Sequence, residues 1–344
     1  MRKNQEEFYC FNETGQCSLP SKSEVLELKH KGIKPVAFLD SNVCLNIIKL
    51  IDYGKNATNC NRRKILHLKE IISKSDMRIN GLFGILELCE KDGHFLNDKY
   101  RDFKYRLEFF EQIPNKYLNK GNYDFLRDFH LIREVPDFAN ANSFYEKLSI
   151  LQLSYCCLLK IRELALGSTK KNNAESNIDA FTQWIVNDLG LMLGIEYKLA
   201  MSVLGGRTEF RKMIGLDDKS PSAKRKIKGS VWDIFHSRYC MHNANISKHL
   251  GENISAYFVT NDYNLFTLLS KYSLTGILDP GDDSGTTSWY NTDFDYPHLD
   301  NKFLEKNTEE MLNLMHDRLK VDFQYNKEKV NKMISTLEKE NDIL

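Results

Sequence analysis

The chain has 344 residues, 42% apolar and 28% charged, which is the make-up of a globular protein rather than a disordered or fibrous one. Its 48 basic and 47 acidic residues leave a net charge of +1, which removes the simplest case for nucleic-acid binding, a chain basic throughout, and leaves only local basic patches. No stretch reaches the roughly 18 consecutive apolar residues that span a bilayer. The opening Met-Arg-Lys-Asn-Gln-Glu-Glu also lacks the apolar core of a signal peptide, so a cytoplasmic protein without a membrane partner is expected.

Residues 1–33 read as a polar N-terminal arm with one short amphipathic stretch, Val25-Leu26-Glu27-Leu28. Pro35 to Leu39 is a continuous apolar run, the pattern of a strand buried on both faces, and it ends in Asp40-Ser41-Asn42. Val43, Ile47, Ile48, Leu50 and Ile51 then recur with a helical period. Further helices are expected from Arg62 to Ile72 and from Leu82 to Glu90, the second with Leu82, Ile85, Leu86 and Cys89 on one stripe.

Residues 94–224 read as a mostly helical block with no strand-like alternation. Within it Leu151, Tyr155, Leu158 and Leu159, then Ile178, Phe181, Ile185 and Leu189, fall at helical spacing. The helical pattern closes near Gly205-Gly206, and the polar, basic segment that follows, Lys219 to Gly229, reads as an exposed loop. A helix from about Val231 to Leu250 leads into the apolar run Ile254 to Val259, which ends in Thr260-Asn261-Asp262. A helix from Leu265 to Tyr272, a short strand from Leu274 to Leu278 and a loop containing Gly281-Asp282-Asp283 follow. Residues 291–344 form a charged helical tail whose stripe of Val330, Met333, Ile334 and Leu337 either docks on the body or binds a partner. Strands alternating with helices indicate parallel βαβ units.

The eight cysteines include no Cys-x-x-Cys, and several sit in apolar runs, so no disulfide framework is expected. Cys240 and His242, with His236 and His249 nearby, offer zinc ligands, but without the paired spacing of zinc modules.

Two strands thus end in an acidic tripeptide at the carboxyl edge of a parallel sheet, where such sheets bind ligands. Asp40 and Asp262 are each also ordinary helix caps, and Asp233 stands near a helix N-terminus, where the macrodipole favours an acid. Glu87, between Leu86 and Leu88, lies either at the border of a buried face or in a site.

The order of these features resembles the PIN-domain nucleases: a strand with Asp40-Ser41-Asn42, a helix with Leu86-Glu87-Leu88, a helix opening at Asp233, and a strand with Val259-Thr260-Asn261-Asp262. The resemblance covers residues 35–93 and 225–285. It implies a three-layer α/β/α fold with a central parallel sheet, divided into 34–93 and 225–290 by a helical insertion at 94–224. It also implies three or four acids around Mg²⁺ or Mn²⁺ that cut RNA. Carried over residue by residue, it makes Asp40, Asp233 and Asp262 the metal core and Glu87 the holder of a second metal or its water, with Glu90 or Asp92 as alternatives to Glu87. Asn42, Thr260 and Asn261 would orient these carboxylates.

The chemistry is consistent, because hard cations prefer carboxylate oxygens and clustered carboxylates repel unless a cation sits among them. Lys224, Arg225, Lys226 and Lys228 would hold phosphates, with Arg62, Arg63 and Lys64 as a second patch and Tyr263 as a stacking surface for a base. The expected activity is an endoribonuclease on single-stranded RNA, with DNA as the alternative, working as a toxin, in RNA processing or in phage defence. A regulatory protein or a second copy would bind through the helical insertion or the tail. The rivals are an inactive PIN-like RNA-binding scaffold and a haloacid-dehalogenase-like phosphatase. The phosphatase is disfavoured because its first motif requires an acid where Asn42 stands.

Overall fold

A computed structural model describes residues 7–91, 94–114, 118, 149–240, 242–270, 272–278, 287–292, 295–318 and 324–343. The chain is mixed α/β and divides into two units, Met1–Lys147 with His236–Leu274 and Leu148–Phe235 with Thr275–Leu344.

The first unit is organised by the two apolar runs. The strands β1 (Tyr9–Phe11), β2 (Lys34–Leu39), β3 (Arg78–Asn80) and β4 (Ile254–Thr260) form one sheet in the order β1-β4-β2-β3. β2 runs parallel to both β4 and β3, while β1 pairs antiparallel with β4. All seven residues of β4, and every residue of β2 after Lys34, are buried, as a strand covered on both faces requires.

Helix α1 (Lys22–His30) opens with a capping box in which the Ser21 hydroxyl accepts from the Glu24 N–H and the Glu24 carboxylate accepts from the Ser21 N–H. Around the sheet follow α2 (Ser41–Tyr53), α3 (Arg62–Ser75), α4 (Leu82–Cys89) and α5 (Asn97–Gln112). Helix α2 buries Val43, Cys44, Ile47, Ile48, Leu50 and Ile51 and packs against α3, α4 and α5.

Two boundaries differ from the sequence reading. Residues 7–33, the described part of the expected arm, do not stand apart, because β1 adds a strand to the sheet and Val25 of α1 is fully buried. Three residues are too short to show a period, so this strand has no signature in the sequence. Helix α5 belongs to the first unit rather than to the helical block, since it buries Leu107, Phe109 and Phe110 and packs on α2 and α4.

In the second unit α6 (Ser149–Gly167) is the central helix, with α7 (Lys171–Trp184) and α8 (Gly194–Leu204) packed on it. Helix α9 (Ser222–Cys240) starts inside the segment that reads as a basic loop. Ala223, Ile227, Val231 and Ile234 recur at helical spacing and are buried, and this seam outweighs the lysines between them. The single helix expected from Val231 to Leu250 is two, since α9 ends at Cys240 and α10 (Asn243–Leu250) follows. In the first unit α10 and α11 (Tyr263–Leu269) flank β4 in sequence, and β5 runs over Tyr272–Leu278.

The tail forms α12 (Asn301–Arg318) and α13 (Lys327–Glu340). α13 lies along α6 with Val330 and Leu337 buried. The Tyr155 hydroxyl donates to Glu338 at 2.9 Å, and the Asn341 side-chain amide donates to the Leu159 carbonyl at 3.1 Å. Val330 and Leu337 of the tail's apolar stripe are therefore covered, with the chain's own central helix alongside, while Met333 and Ile334 are half-buried. Among the described residues, no helix is long and apolar enough to cross a membrane.

Leu337→Ala removes a side chain that is 4% exposed. It should destabilise the second unit by about 2–4 kcal/mol. A urea titration monitored by circular dichroism checks this through a lower unfolding midpoint, and an unchanged midpoint would show that α13 contributes no packing energy.

Candidate metal centre

The parallel register of β2 and β4 pairs Leu39 with Val259 and so brings the two acidic strand ends side by side. The Asp40 N–H donates to the Val259 carbonyl at 2.9 Å, the last link between the two strands. Asp40 is 0% exposed and caps α2. Its Oδ1 accepts from the Ser41 N–H at 2.7 Å, and its Oδ2 accepts from the Thr260 hydroxyl at 2.7 Å. The same hydroxyl accepts from the Asp262 N–H at 2.9 Å, and Asp262 in turn caps α11 by accepting from the Leu265 N–H at 2.9 Å. One buried threonine thus couples both strand ends, using the donor and acceptor capacity of a single hydroxyl.

Glu87 reaches Asp40 because α4 is pressed onto the β2–α2 turn. A Cβ added at Gly84 would stand 2.7 Å from the Leu39 carbonyl oxygen and 2.9 Å from the Ser41 nitrogen, so only glycine permits this approach. Glu87 lies one turn further along the helix. Its Oε2 is sealed from solvent and meets no hydrogen-bond partner among the described residues. Burial pushes the Glu87 carboxyl well above its ordinary range, and the charge of Asp40 pushes it further, with Ser41 opposing and Glu90 adding a smaller push.

The third group is His236 on α9, which is 1% exposed. Its Nδ1 lies 3.8 Å from Asp40 Oδ1. The ring stacks on Phe83 with centroids 5.9 Å apart and meets Phe258 at a tilt, 6.3 Å away. One ligand atom each from Asp40, Glu87 and His236 lie within 4.8 Å of one another. Among the described residues, no other group of three His, Cys, Asp or Glu side chains converges in this way, so Cys240 and His242 build no zinc site there. Two carboxylates and an imidazole are donors that could hold a divalent cation.

The remaining expected site residues fall elsewhere. Asp233 precedes His236 by one helical turn on α9, lies in the second unit and is not part of the converging group. Asp262 is half-buried, tied to the site through Thr260 and likewise outside the group. Asn42 is exposed, and its carbonyl accepts from Asn46. Asn261 accepts from Lys64 Nζ at 2.8 Å, which sets it toward the basic start of α3.

Lys64 also lies 5.6 Å from the ring centroids of Phe8 and Tyr9, and burial lowers its pKa. Tyr263 is 59% exposed and packs on Tyr9 at 5.6 Å, which stacks on Phe266 at 4.8 Å. In the second unit Lys224 pairs with Glu338 at 2.9 Å and Lys226 with Asp218 at 2.6 Å, while Arg225 and Lys228 are exposed. Asp92, Asp282 and Asp283 lie outside the described residues.

In the sequence His236 reads only as a zinc ligand beside Cys240. The signal that points to this site is its position one helical turn after Asp233, on the same helix. No family model, no curated protein and no solved structure matches the chain.

Glu87 binds its proton more tightly in the folded protein than in the unfolded chain, where its ordinary value is 4.5. Stability of the metal-free protein therefore falls as pH rises above that value, and Glu87→Gln should remove the fall. Thermal unfolding in chelator from about pH 5 to about pH 8 tests this. The variant should gain on the wild type as pH rises, whereas parallel curves would show that Glu87 is not under this strain.

Proposed function

We propose that the chain is a metal-dependent nuclease of the PIN-like kind, with a three-layer α/β/α arrangement about its parallel sheet, that hydrolyses phosphodiester bonds in single-stranded RNA. The observation that carries this reading is the convergence of Asp40, Glu87 and His236 at the carboxyl edge of the sheet, with one Glu87 oxygen sealed from solvent and without a hydrogen-bond partner among the described residues.

Asp40, Glu87 and His236 would hold Mg²⁺ or Mn²⁺, which when bound supplies a Lewis acid for the phosphoryl oxygen and acidifies a bound water. Asp40 is held in one orientation by the Ser41 N–H and the Thr260 hydroxyl, so it meets the cation without reorganising. Asp262, set by Thr260 and by its cap on α11, adds a partly exposed carboxylate at the same strand end. The walls formed by Phe83 and Phe258 keep water from the imidazole side.

Substrate contacts are supported beside Asp262. Arg62, Arg63 and Lys64 begin α3, and Lys64 is hydrogen-bonded to Asn261. These cations suit phosphate oxygens, and the exposed ring of Tyr263 suits an unpaired base. Stacking of that kind favours a single strand over a duplex.

The test is incubation of the purified protein with end-labelled single-stranded RNA and DNA in Mn²⁺. Cleavage should prefer RNA, stop in EDTA and stop in Asp40→Asn. Thr260→Val, which releases Asp40 Oδ2, should lose about 10–100-fold in activity or metal affinity. Cleavage indifferent to EDTA and to Asp40→Asn would overturn the proposal.

A further inference from the structure

We infer that His236 is a direct metal ligand and that, through it, the centre selects a first-row transition ion such as Mn²⁺ over Mg²⁺. This rests on the reading of Asp40, Glu87 and His236 as a cation site and goes beyond it by fixing which chemical class of cation the site prefers.

Three features of the residues on the β2–α2 turn, α4 and α9 lead there. The first is the donor set itself, two carboxylate oxygens and one imidazole nitrogen whose ligand atoms lie within 4.8 Å of one another. Carboxylate oxygens serve Mg²⁺ and Mn²⁺ alike, whereas imidazole is a ligand for transition ions. Mg²⁺ demands near-ideal octahedral oxygen coordination and usually binds through one or two carboxylates while keeping several waters.

The second feature is dryness. His236 is 1% exposed and Asp40 0% exposed, and the imidazole faces the rings of Phe83 and Phe258. A cation reaching all three groups must shed water on that side, which Mg²⁺ does reluctantly. The third is Glu87, whose sealed Oε2 has no hydrogen-bond partner among the described residues and stands ready for inner-sphere contact rather than for contact through a water. Affinity for an N/O site rises along the first-row series from Mn²⁺ to Cu²⁺, so Mn²⁺ is the most demanding probe of the inference. If it outcompetes Mg²⁺, the later ions do so as well.

The experiment uses the full-length protein stripped of metal by chelator and titrated with Mn²⁺ under electron paramagnetic resonance, with calorimetric titrations of Mn²⁺ and Mg²⁺ alongside. Mn²⁺ should bind at least about tenfold more tightly than Mg²⁺. The echo-modulation spectrum of the bound ion should carry the signature of a coordinated nitrogen. His236→Gln should lose that signature, and His236→Asp, which restores an all-oxygen set, should bring the two affinities to within a few-fold of each other. The nitrogen signature in the wild type needs no variant, so it decides the question even if both substitutions prevent folding. Bound Mn²⁺ without nitrogen coupling, or Mg²⁺ bound as tightly as Mn²⁺, would overturn the inference while leaving a metal centre in place. Absence of any bound Mn²⁺ would overturn both the inference and the metal-centre reading beneath it.

Discussion

The in-register parallel pairing of β2 with β4 is the constraint on which the candidate centre depends. Because both strands are buried on both faces, an alternation of apolar and polar residues cannot fix their register. The register is fixed at its two ends and by fit between them. At the start, the Lys34 N–H donates to the Asn253 carbonyl at 2.8 Å and the Lys34 ammonium pairs with Glu252 at 2.6 Å. At the finish, the Asp40 N–H donates to the Val259 carbonyl and the Thr260 hydroxyl to Asp40. Between them, the small Ala37 stands opposite the bulky Tyr257. A slip of one residue would lose all four links and separate Asp40 from Thr260, so the register that completes the sheet also assembles the site.

That assembly places negative charge where water does not reach. A buried carboxylate costs several kcal/mol unless it is paired or hydrogen-bonded. Asp40 recovers part of this through two hydrogen bonds, each to a charged acceptor and worth about 1.5–3 kcal/mol. Among the described residues Glu87 has no hydrogen bond at Oε2, and the close approach at Gly84 holds it near Asp40, so it keeps its proton to a higher pH than an ordinary carboxyl. Natural folds keep local conflicts of this kind mainly at functional sites, and a divalent cation taking the place of that proton would resolve it with both carboxylates ionised.

How much of this was legible depended on whether a residue broke a pattern or continued it. Asp40 and Thr260 stood out because each ends a continuous apolar run, and the structure places both at the strand ends. Glu87 was visible as an acid on an otherwise apolar stripe. His236 is legible only as a possible zinc ligand with Cys240 and not as a partner of Asp40, because between Phe235 and Ser237 it continues a buried helical face, and burial of an imidazole leaves no mark on periodicity. Asp233, one turn away, carried the expected charge, but it lies in the second unit. The start of α9 reads as a loop in the sequence because basic residues outnumber apolar ones there, although helical spacing of Ala223 and Ile227 is enough to seat it. The glycine at position 84 decides how closely α4 approaches, yet its reason is tertiary, a backbone contact from a different element that no local pattern encodes.

The position of His236 gives the centre a consequence for the chain that carries it. Helix α9 is continuous from Ser222 to Cys240, and the division between the two units falls between Phe235 and His236. The first side chain of α9 in the first unit is therefore the one that faces Asp40. A cation bound by Asp40, Glu87 and His236 would join residues from β2–α2, α4 and α9 that are distant in sequence. It would stabilise the folded unit by about 2.7 kcal/mol at a concentration one hundred times its Kd. Such a cation would do for α9 what the Thr260 hydroxyl does for β4, tying a remote segment to the same buried aspartate. Metal occupancy and the seating of α9 from His236 onward would then be one equilibrium, with Asp40 as its common element.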